Sequence, residues 1–321
     1  MRRPADIAAV VIGRNEGARL IACLEALRGQ VGRMVYVDSG STDGSQQAAI
    51  TRGAELVQLD TDRPFTAARA RNAGFAHLMQ GGQTARYVQF LDGDCALQPG
   101  WIEAARSFLD KSPQAAVACG RRRERFPEAS VYNRLIDAEW DTALGRTRSC
   151  GGDALIRVGA LKEVGGYNPD LIAGEEPELC VRLRAKGWEI WRLDVEMTLH
   201  DAALTRFGQW WQRTRRGGYA FAQGAAMHGA PPERHCVPAL RRIILWGLAL
   251  PLVTVLGAFV TPWALLLLLA WPLQVVRLWW RGMPWARALF LTLAKLPEAQ
   301  GALTYWWRRL TRARARLIEY K

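Results

Sequence analysis

The sequence predicts an α/β domain built on a parallel sheet with helices on both faces, followed by a C-terminal α-helical membrane hairpin. Three observations predict it. Strand-like and helix-like segments alternate from residue 7 to about residue 120, the pattern of a parallel sheet with crossover helices. Several strand-like runs end in turns that carry glycine and carboxylates. After Pro238 two uncharged apolar runs follow one another, each about as long as a bilayer crossing needs.

Each element follows in order. Ile7–Ile12 is a short β-branched run, and Ala18–Leu27 has helical spacing. Met34–Val37 reads as the second strand, 45–52 as a helix, 55–59 as a third strand and 66–79 as a third helix. Tyr87–Leu91 is an apolar strand that runs straight into Asp92-Gly93-Asp94. Residues 121–175 are richer in glycine and arginine and less periodic. A helix is expected over 177–186 and a strand near 190–193. Ile243–Val260 and Trp263–Trp280 are the two apolar runs, with Thr261-Pro262 to turn the chain between them. Arg241 and Arg242 precede the pair, and Arg277, Arg281 and Arg287 end or follow it, so the positive-inside rule places both ends in the cytoplasm. The stretch 286–296, broken by Lys295 and Pro297, suits an interfacial position. The expected division is residues 1–235 for the α/β domain and 236–321 for the hairpin and a basic tail.

Composition narrows the partners. The formal charge of +13 over 321 residues favours anionic ligands: phosphorylated substrates, anionic lipid or nucleic acid. The six cysteines stand singly without a C-x-x-C pair, which argues against a zinc site or a disulfide framework and fits a reducing compartment. The first apolar run is too short for a signal peptide, so the N-terminal part is expected to stay in the cytosol. Trp210 and Trp211 with Arg213, Arg215 and Arg216 suit a helix at a membrane surface. Trp306 and Trp307 with Arg308, Arg309, Arg312, Arg314, Arg316 and Lys321 suit an anionic headgroup layer.

The chemistry concentrates in five segments. Asp92-Gly93-Asp94 ends a strand, where open α/β sheets bind ligands, and offers oxygen donors of the kind Mg²⁺ prefers. By itself the triplet is also an ordinary turn. Ile12-Gly13-Arg14-Asn15-Glu16 is a glycine-containing turn after the first strand, able to offer backbone N–H groups to phosphate; it is not the G-x-G-x-x-G dinucleotide fingerprint. Asp38, in Val37-Asp38-Ser39-Gly40-Ser41-Thr42-Asp43-Gly44, ends the second strand and can accept from a base or a ribose. Arg71, in Arg71-Asn72-Ala73-Gly74, can reach a nucleotide or sit as an exposed arginine. Gly174-Glu175-Glu176 opens a helix, where the dipole favours acids and where one of them can serve as a general base.

Taken together and in this order, these segments resemble the family 2 glycosyltransferases of GT-A fold, a Rossmann-like nucleotide-diphospho-sugar transferase domain. The resemblance spans residue 7 to about residue 230 and also includes Gly165-Gly166-Tyr167 and Leu183-Arg184-Ala185-Lys186-Gly187. It implies that the turn from Ile12 through Arg14 to Glu16, with Asp38 and Arg71, holds the nucleotide of a nucleotide-sugar donor. Asp92 is implied at the ribose or the metal, and Asp94 at a Mg²⁺ or Mn²⁺ ion bridging the diphosphate. Some similar enzymes have a histidine near the place of His200 that completes the metal site; the alternative is a surface or packed histidine. Glu176 matches the family's catalytic aspartate, and its extra methylene keeps Glu175 as the fallback base. Asp153, in Gly151-Gly152-Asp153, is implied near the sugar or the acceptor. Arg121–Arg123 and Arg125 read as a solvated face or as ligands of diphosphate or of a phosphorylated acceptor.

The resulting expectation is a metal-dependent, inverting, membrane-anchored transferase at the bacterial inner membrane, with its catalytic domain cytoplasmic. UDP is the default carrier of the donor, and the acceptor is a lipid-linked glycan or a surface polysaccharide precursor. A polyprenyl phosphate acceptor is the alternative within the same chemistry. A non-catalytic, basic membrane- or nucleic-acid-binding protein is the alternative of another kind; the acidic set Asp38, Asp92, Asp94 and Glu176 argues against it, and no nucleic-acid partner is expected.

Overall fold

A computed structural model describes residues 6–60, 62, 65–80 and 85–311. The tail arginines Arg312, Arg314 and Arg316, and Lys321, lie outside the described residues. The chain divides into two compact units, Met1–Ala203 and Leu204–Lys321.

The first unit is a mixed sheet flanked by helices. Its strands are β1 (Ile7–Gly13), β2 (Arg33–Asp38), β3 (Glu55–Gln58), β4 (Tyr87–Asp92), β5 (Cys95–Leu97), β6 (Ala115–Glu124), β7 (Gly145–Thr147), β8 (Ala154–Arg157) and β9 (Glu189–His200), in spatial order β3-β2-β1-β4-β8-β6-β9-β5 with β7 also on β9. The helices are α1 (Ala18–Leu27), α2 (Ser45–Thr51), α3 (Ala67–Gln80), α4 (Trp101–Lys111), α5 (Val131–Trp140), α6 (Val158–Glu163) and α7 (Glu175–Ala185).

The expected parallel sheet holds without interruption over β3, β2, β1 and β4. β8 then runs antiparallel to both β4 and β6, while β6 and β9 are parallel. The strand expected near 190–193 extends to His200, because β9 is long enough to pair with β6, β7 and β5 along its length.

Burial follows pattern. β1 is almost wholly buried, as a strand covered on both faces must be, and its sequence is correspondingly apolar without alternation. In α1 the buried residues are Leu20, Cys23, Leu24 and Leu27, one stripe at helical spacing. Gly74 of α3 is required by close approach: a Cβ there would lie 2.5 Å from Val10 Cγ1 and 2.8 Å from Val37 Cγ2.

Register positions the site. Ile12 pairs with Asp92 and Gly13 pairs with Asp38, so the turns after β1, β2 and β4 share one carboxyl edge. The β5–β9 pairing sets Cys95 opposite His200, and the Asp201 N–H donates to the Asp94 carbonyl at 3.0 Å. α7 begins at Glu175, two residues before the expected start. Gly174 enters in the left-handed region at φ 77°, and Pro177 in the first turn removes an N–H that needs no intrahelical partner.

The second unit is helical: α8 (Phe207–His228), α9 (Val237–Ala258), α10 (Pro262–Trp280), α11 (Trp285–Leu293) and α12 (Lys295–Thr311). α9 and α10 are long and apolar enough to cross a membrane. Leu252, Val253, Val255, Leu256, Phe259, Val260 and Leu265–Leu269 are exposed, an apolar surface that water would not favour. α8 and α12 pack closely at glycines: Gly301 lies against the backbone of Arg215, and Gly218 against that of Glu298.

We expect Gly74→Ala to destabilise the first unit by about 1–3 kcal/mol, because the added methyl overpacks the α3–sheet contact. Chemical denaturation of the purified variant, followed by tryptophan fluorescence, checks this.

Candidate active site

Arg71 is the centre of the carboxyl edge. It is 2% exposed, on α3, and meets three carboxylates. Its Nη2 lies 2.9 Å from Asp92 Oδ1; its Nη1 lies 2.9 Å from Glu175 Oε1 and 2.8 Å from Glu176 Oε1. The guanidinium also lies 5.5 Å from the centre of the Tyr167 ring. A buried, multiply paired arginine replaces the exposed reading of this residue.

The neighbouring motifs hold this arrangement. Asn72 donates from Nδ2 to the Tyr167 carbonyl at 2.7 Å and accepts the Tyr167 N–H at 2.9 Å. Gly152 stands where any side chain would collide: a Cβ would be 2.6 Å from Arg71 Nη2 and 2.9 Å from Asp92 Oδ2.

A second arginine closes the cluster. Arg122 sits 3.4 Å from Asp92 Oδ2 and 3.6 Å from Asp153 Oδ2, with its guanidinium 4.6 Å from the centre of the Trp140 ring. Asp153 is buried; it accepts the Asp92 N–H at 3.2 Å and the Thr198 hydroxyl at 2.7 Å. Arg121 turns away to Asp137 at 2.8 Å, and the exposed Arg123 pairs with Glu196. The run at 121–123 is therefore split: Arg121 and Arg122 are largely buried on different carboxylates, and Arg123 is exposed. No pattern in the sequence singles out Arg122; its burial follows from β6 running on to Glu124 within the sheet.

Asp94 is 6% exposed and its Oδ2 lies 3.3 Å from His200 Nε2. His200 is 7% exposed, with Nδ1 3.4 Å from Glu124 Oε2 and its ring edge-to-face with Trp140 at 4.7 Å. Asp94, Cys95 and His200 form one group with donor atoms within 4.8 Å of one another. A carboxylate and an imidazole suit Mn²⁺ or Mg²⁺. Burial pushes the Cys95 thiol up, which keeps it a neutral, poor ligand. Asp92, Cys95 and Asp153 are also mutually close, but Arg122 already lies against both of those carboxylates.

Electrostatics separates the carboxylates. Burial raises Asp92, but the guanidinium groups of Arg71 and Arg122 outweigh it and hold Asp92 below the usual carboxylate range. Glu176 goes the other way: burial and the charge of Glu175 push it up to about 7 in spite of Arg71.

The remaining sequence-selected residues lie along the same edge in different settings. Asp38 is buried, and its oxygens accept from Tyr36 Oη at 3.0 Å, the Gly40 and Ser41 N–H groups at 3.0 and 2.9 Å, and Gln46 Nε2 at 2.8 Å. Burial would raise Asp38, yet these bonds hold it below its ordinary value. The Ile12 carbonyl accepts the Gly93 N–H at 2.8 Å. Glu16 pairs with Arg19 at 2.8 Å, and Arg14 lies exposed over the Phe65 ring at 4.8 Å.

The glycosyl transferase family 2 model matches residues 9–162. Those residues are a family 2 glycosyltransferase domain. The chain is 25% identical over 243 residues to the succinoglycan biosynthesis protein ExoA of Rhizobium meliloti, covering 72% of this chain and 71% of that one. It is 26% identical over 236 residues to the pre-mycofactocin glycosyltransferase of Mycobacterium tuberculosis, and there it spans about half of the relative's length, 48%. Among solved structures, the mannosyltransferase PcManGT from Pyrobaculum calidifontis, in complex with GDP-Man and Mn²⁺, aligns with a TM-score of 0.63 at 20% identity, over 96% of this chain and 88% of that one. Glucosyl-3-phosphoglycerate synthase from Mycobacterium tuberculosis, in complex with Mn²⁺ and UDP-glucose, aligns with a TM-score of 0.51 at 18% identity, over 70% of this chain and 79% of that one. The glycosyltransferase has the GT-A fold, a mixed α/β sheet followed by C-terminal helices.

We expect Arg71→Met to cost about 3–5 kcal/mol near neutral pH, since it strands buried carboxylates. Asp92 is held low by Arg71, so its pairing stabilises the fold above the unfolded carboxylate pKa and is lost as pH falls through the folded one. The stability gap between variant and wild type therefore narrows on acidification, as urea titrations at a series of pH values will read.

Proposed function

We propose that this glycosyltransferase moves a sugar from a nucleotide-sugar donor to a lipid-linked glycan or surface polysaccharide precursor, by a divalent-metal-dependent inverting reaction at the bacterial inner membrane. One observation carries the catalytic part: Arg71 ties Asp92, at the end of β4, to Glu175 and Glu176, at the start of α7. Donor-side and acceptor-side carboxylates thus meet at one buried guanidinium.

Glu176 is the proposed base. It accepts the proton of the acceptor hydroxyl as that oxygen attacks the anomeric carbon, and a pKa of about 7 suits the task near neutral pH. Glu175, more deeply buried on the same nitrogen of Arg71, holds the guanidinium and raises Glu176 by its charge. Asp94 and His200 are the proposed holders of Mn²⁺ or Mg²⁺, which when bound acts as a Lewis acid on the departing diphosphate. Asp92 with Arg122, and Asp38 with its ordered 39–46 loop, are proposed to line the donor. Asp153, fixed by Thr198, sets the floor near the sugar. Attack opposite the leaving group inverts the anomeric centre and needs no covalent enzyme intermediate.

The acceptor and the location draw on other observations. α9 and α10 carry exposed apolar surface, and basic residues stand at both ends of the pair, which supports a hairpin with its ends in the cytoplasm. The relative ExoA is by name a succinoglycan biosynthesis protein, which supports a polysaccharide precursor. UDP is the proposed carrier, in a unit taken to end by residue 235.

Glu176 must be ionised to accept a proton. We therefore expect kcat/KM to rise with pH through about 7 and to fall on the acid side. Glu176→Gln is expected to keep donor binding and to lose at least about 10²-fold in transfer rate. Radiolabelled transfer from a panel of nucleotide sugars to membrane-extracted lipid acceptors measures both, and full activity in Glu176→Gln would move the base elsewhere. Asp94→Ala is expected to abolish metal-dependent turnover in the same assay, as a chelator does in the wild type.

A further inference from the structure

Glu124 is the last residue of β6, and it pairs in register with His200, the last residue of β9. Its side chain is fully buried. Oε2 lies 3.4 Å from His200 Nδ1 and accepts the Ala202 N–H at 3.1 Å. Oε1 accepts the Phe126 N–H at 3.1 Å and Nδ2 of Asn133 at 3.3 Å. Both oxygens are therefore engaged, and the carboxylate is fixed from the end of β9, from the chain just beyond β6 and β9, and from α5.

Each imidazole nitrogen can carry a proton or offer a lone pair. Facing a carboxylate that only accepts, Nδ1 is placed as a donor to Glu124. Nε2 is thereby turned to the other side of the ring, 3.3 Å from Asp94 Oδ2. The edge-to-face contact with Trp140 at 4.7 Å limits rotation of the ring. Trp140 is held in turn by Arg122 at 4.6 Å, whose Nη2 reaches Asp92.

We infer that Glu124 is a positioning residue: it accepts from Nδ1 of His200 and turns Nε2 toward Asp94, so that this nitrogen is the one offered to a cation shared with Asp94. The inference rests on the reading of Asp94 and His200 as that site. Carboxylates behind metal-binding histidines commonly act this way.

The full-length, detergent-solubilised protein tests it. The chain has four histidines, so ¹⁵N-histidine spectra of the Mg²⁺-saturated protein can assign His200 by its loss in His200→Ala. The expected wild-type signature is a ring protonated at Nδ1 and not at Nε2; any other pattern overturns the inference, whatever the variants do. Mn²⁺ alone is then titrated by electron paramagnetic resonance. Glu124→Gln is expected to weaken Mn²⁺ binding about 10- to 100-fold, and to add nothing in the His200→Ala background. Unchanged affinity in Glu124→Gln, or an equal loss in both backgrounds, overturns the positioning role and leaves the cation site standing. Unchanged Mn²⁺ affinity in His200→Ala overturns the cation reading itself, and the inference with it.

Discussion

The buried guanidinium of Arg71 is the interaction on which the rest of the site depends. Removing an arginine from water costs several kcal/mol, and only close, well-directed carboxylates repay it. Here three carboxylates converge on two of its nitrogens, within 2.8–2.9 Å. The dependence is mutual. Without the cation, Asp92, Glu175 and Glu176 would repel one another at the meeting point of β4 and α7. With it, strand end and helix start are locked in one geometry.

The surplus of acid at this edge has a direction. Arg71 and Arg122 stand among Asp92, Asp153, Glu175 and Glu176, so the two arginines neutralise part of the cluster. Their charge is shared unevenly: Asp92 is driven low while Glu176 is pushed up to about 7. Neighbouring carboxylates with opposite shifts can fill different roles, one as a fixed anion and one as a proton acceptor. Asp94 lies outside this pairing and faces an imidazole instead.

Much of the first unit was legible because its signals are local. The apolar runs of β1, β2 and β4 and the i, i+3, i+4 spacing in α1 need no knowledge of distant chain. The motif order also marked the carboxyl edge, since three parallel strands in register must end side by side. What escaped was set by long-range pairing. β9 shows a strand pattern only near its start, and its remaining residues are extended by three partner strands. Arg122 sat in a run that reads equally as a solvated face, and only the path of β6 through the sheet takes it inward, with Arg121 and Glu124. Gly152 and Asn72 carried a motif signature without a visible reason; the reason is a missing Cβ beside Arg71 and a pair of bonds to Tyr167.

The pairing of Cys95 with His200 joins positions 105 residues apart, 200 minus 95. Chains emerging from a ribosome fold as their parts become available. Strands β1 to β4 can assemble while Asp94 still lacks the residue it faces, and the glutamates of α7 arrive only a little before β9. A nascent chain halted ahead of residue 200 would thus display its sheet edge with the centre unfinished. Competence for chemistry is gained late in synthesis, when the catalytic unit is nearly complete and the apolar helices have yet to be made.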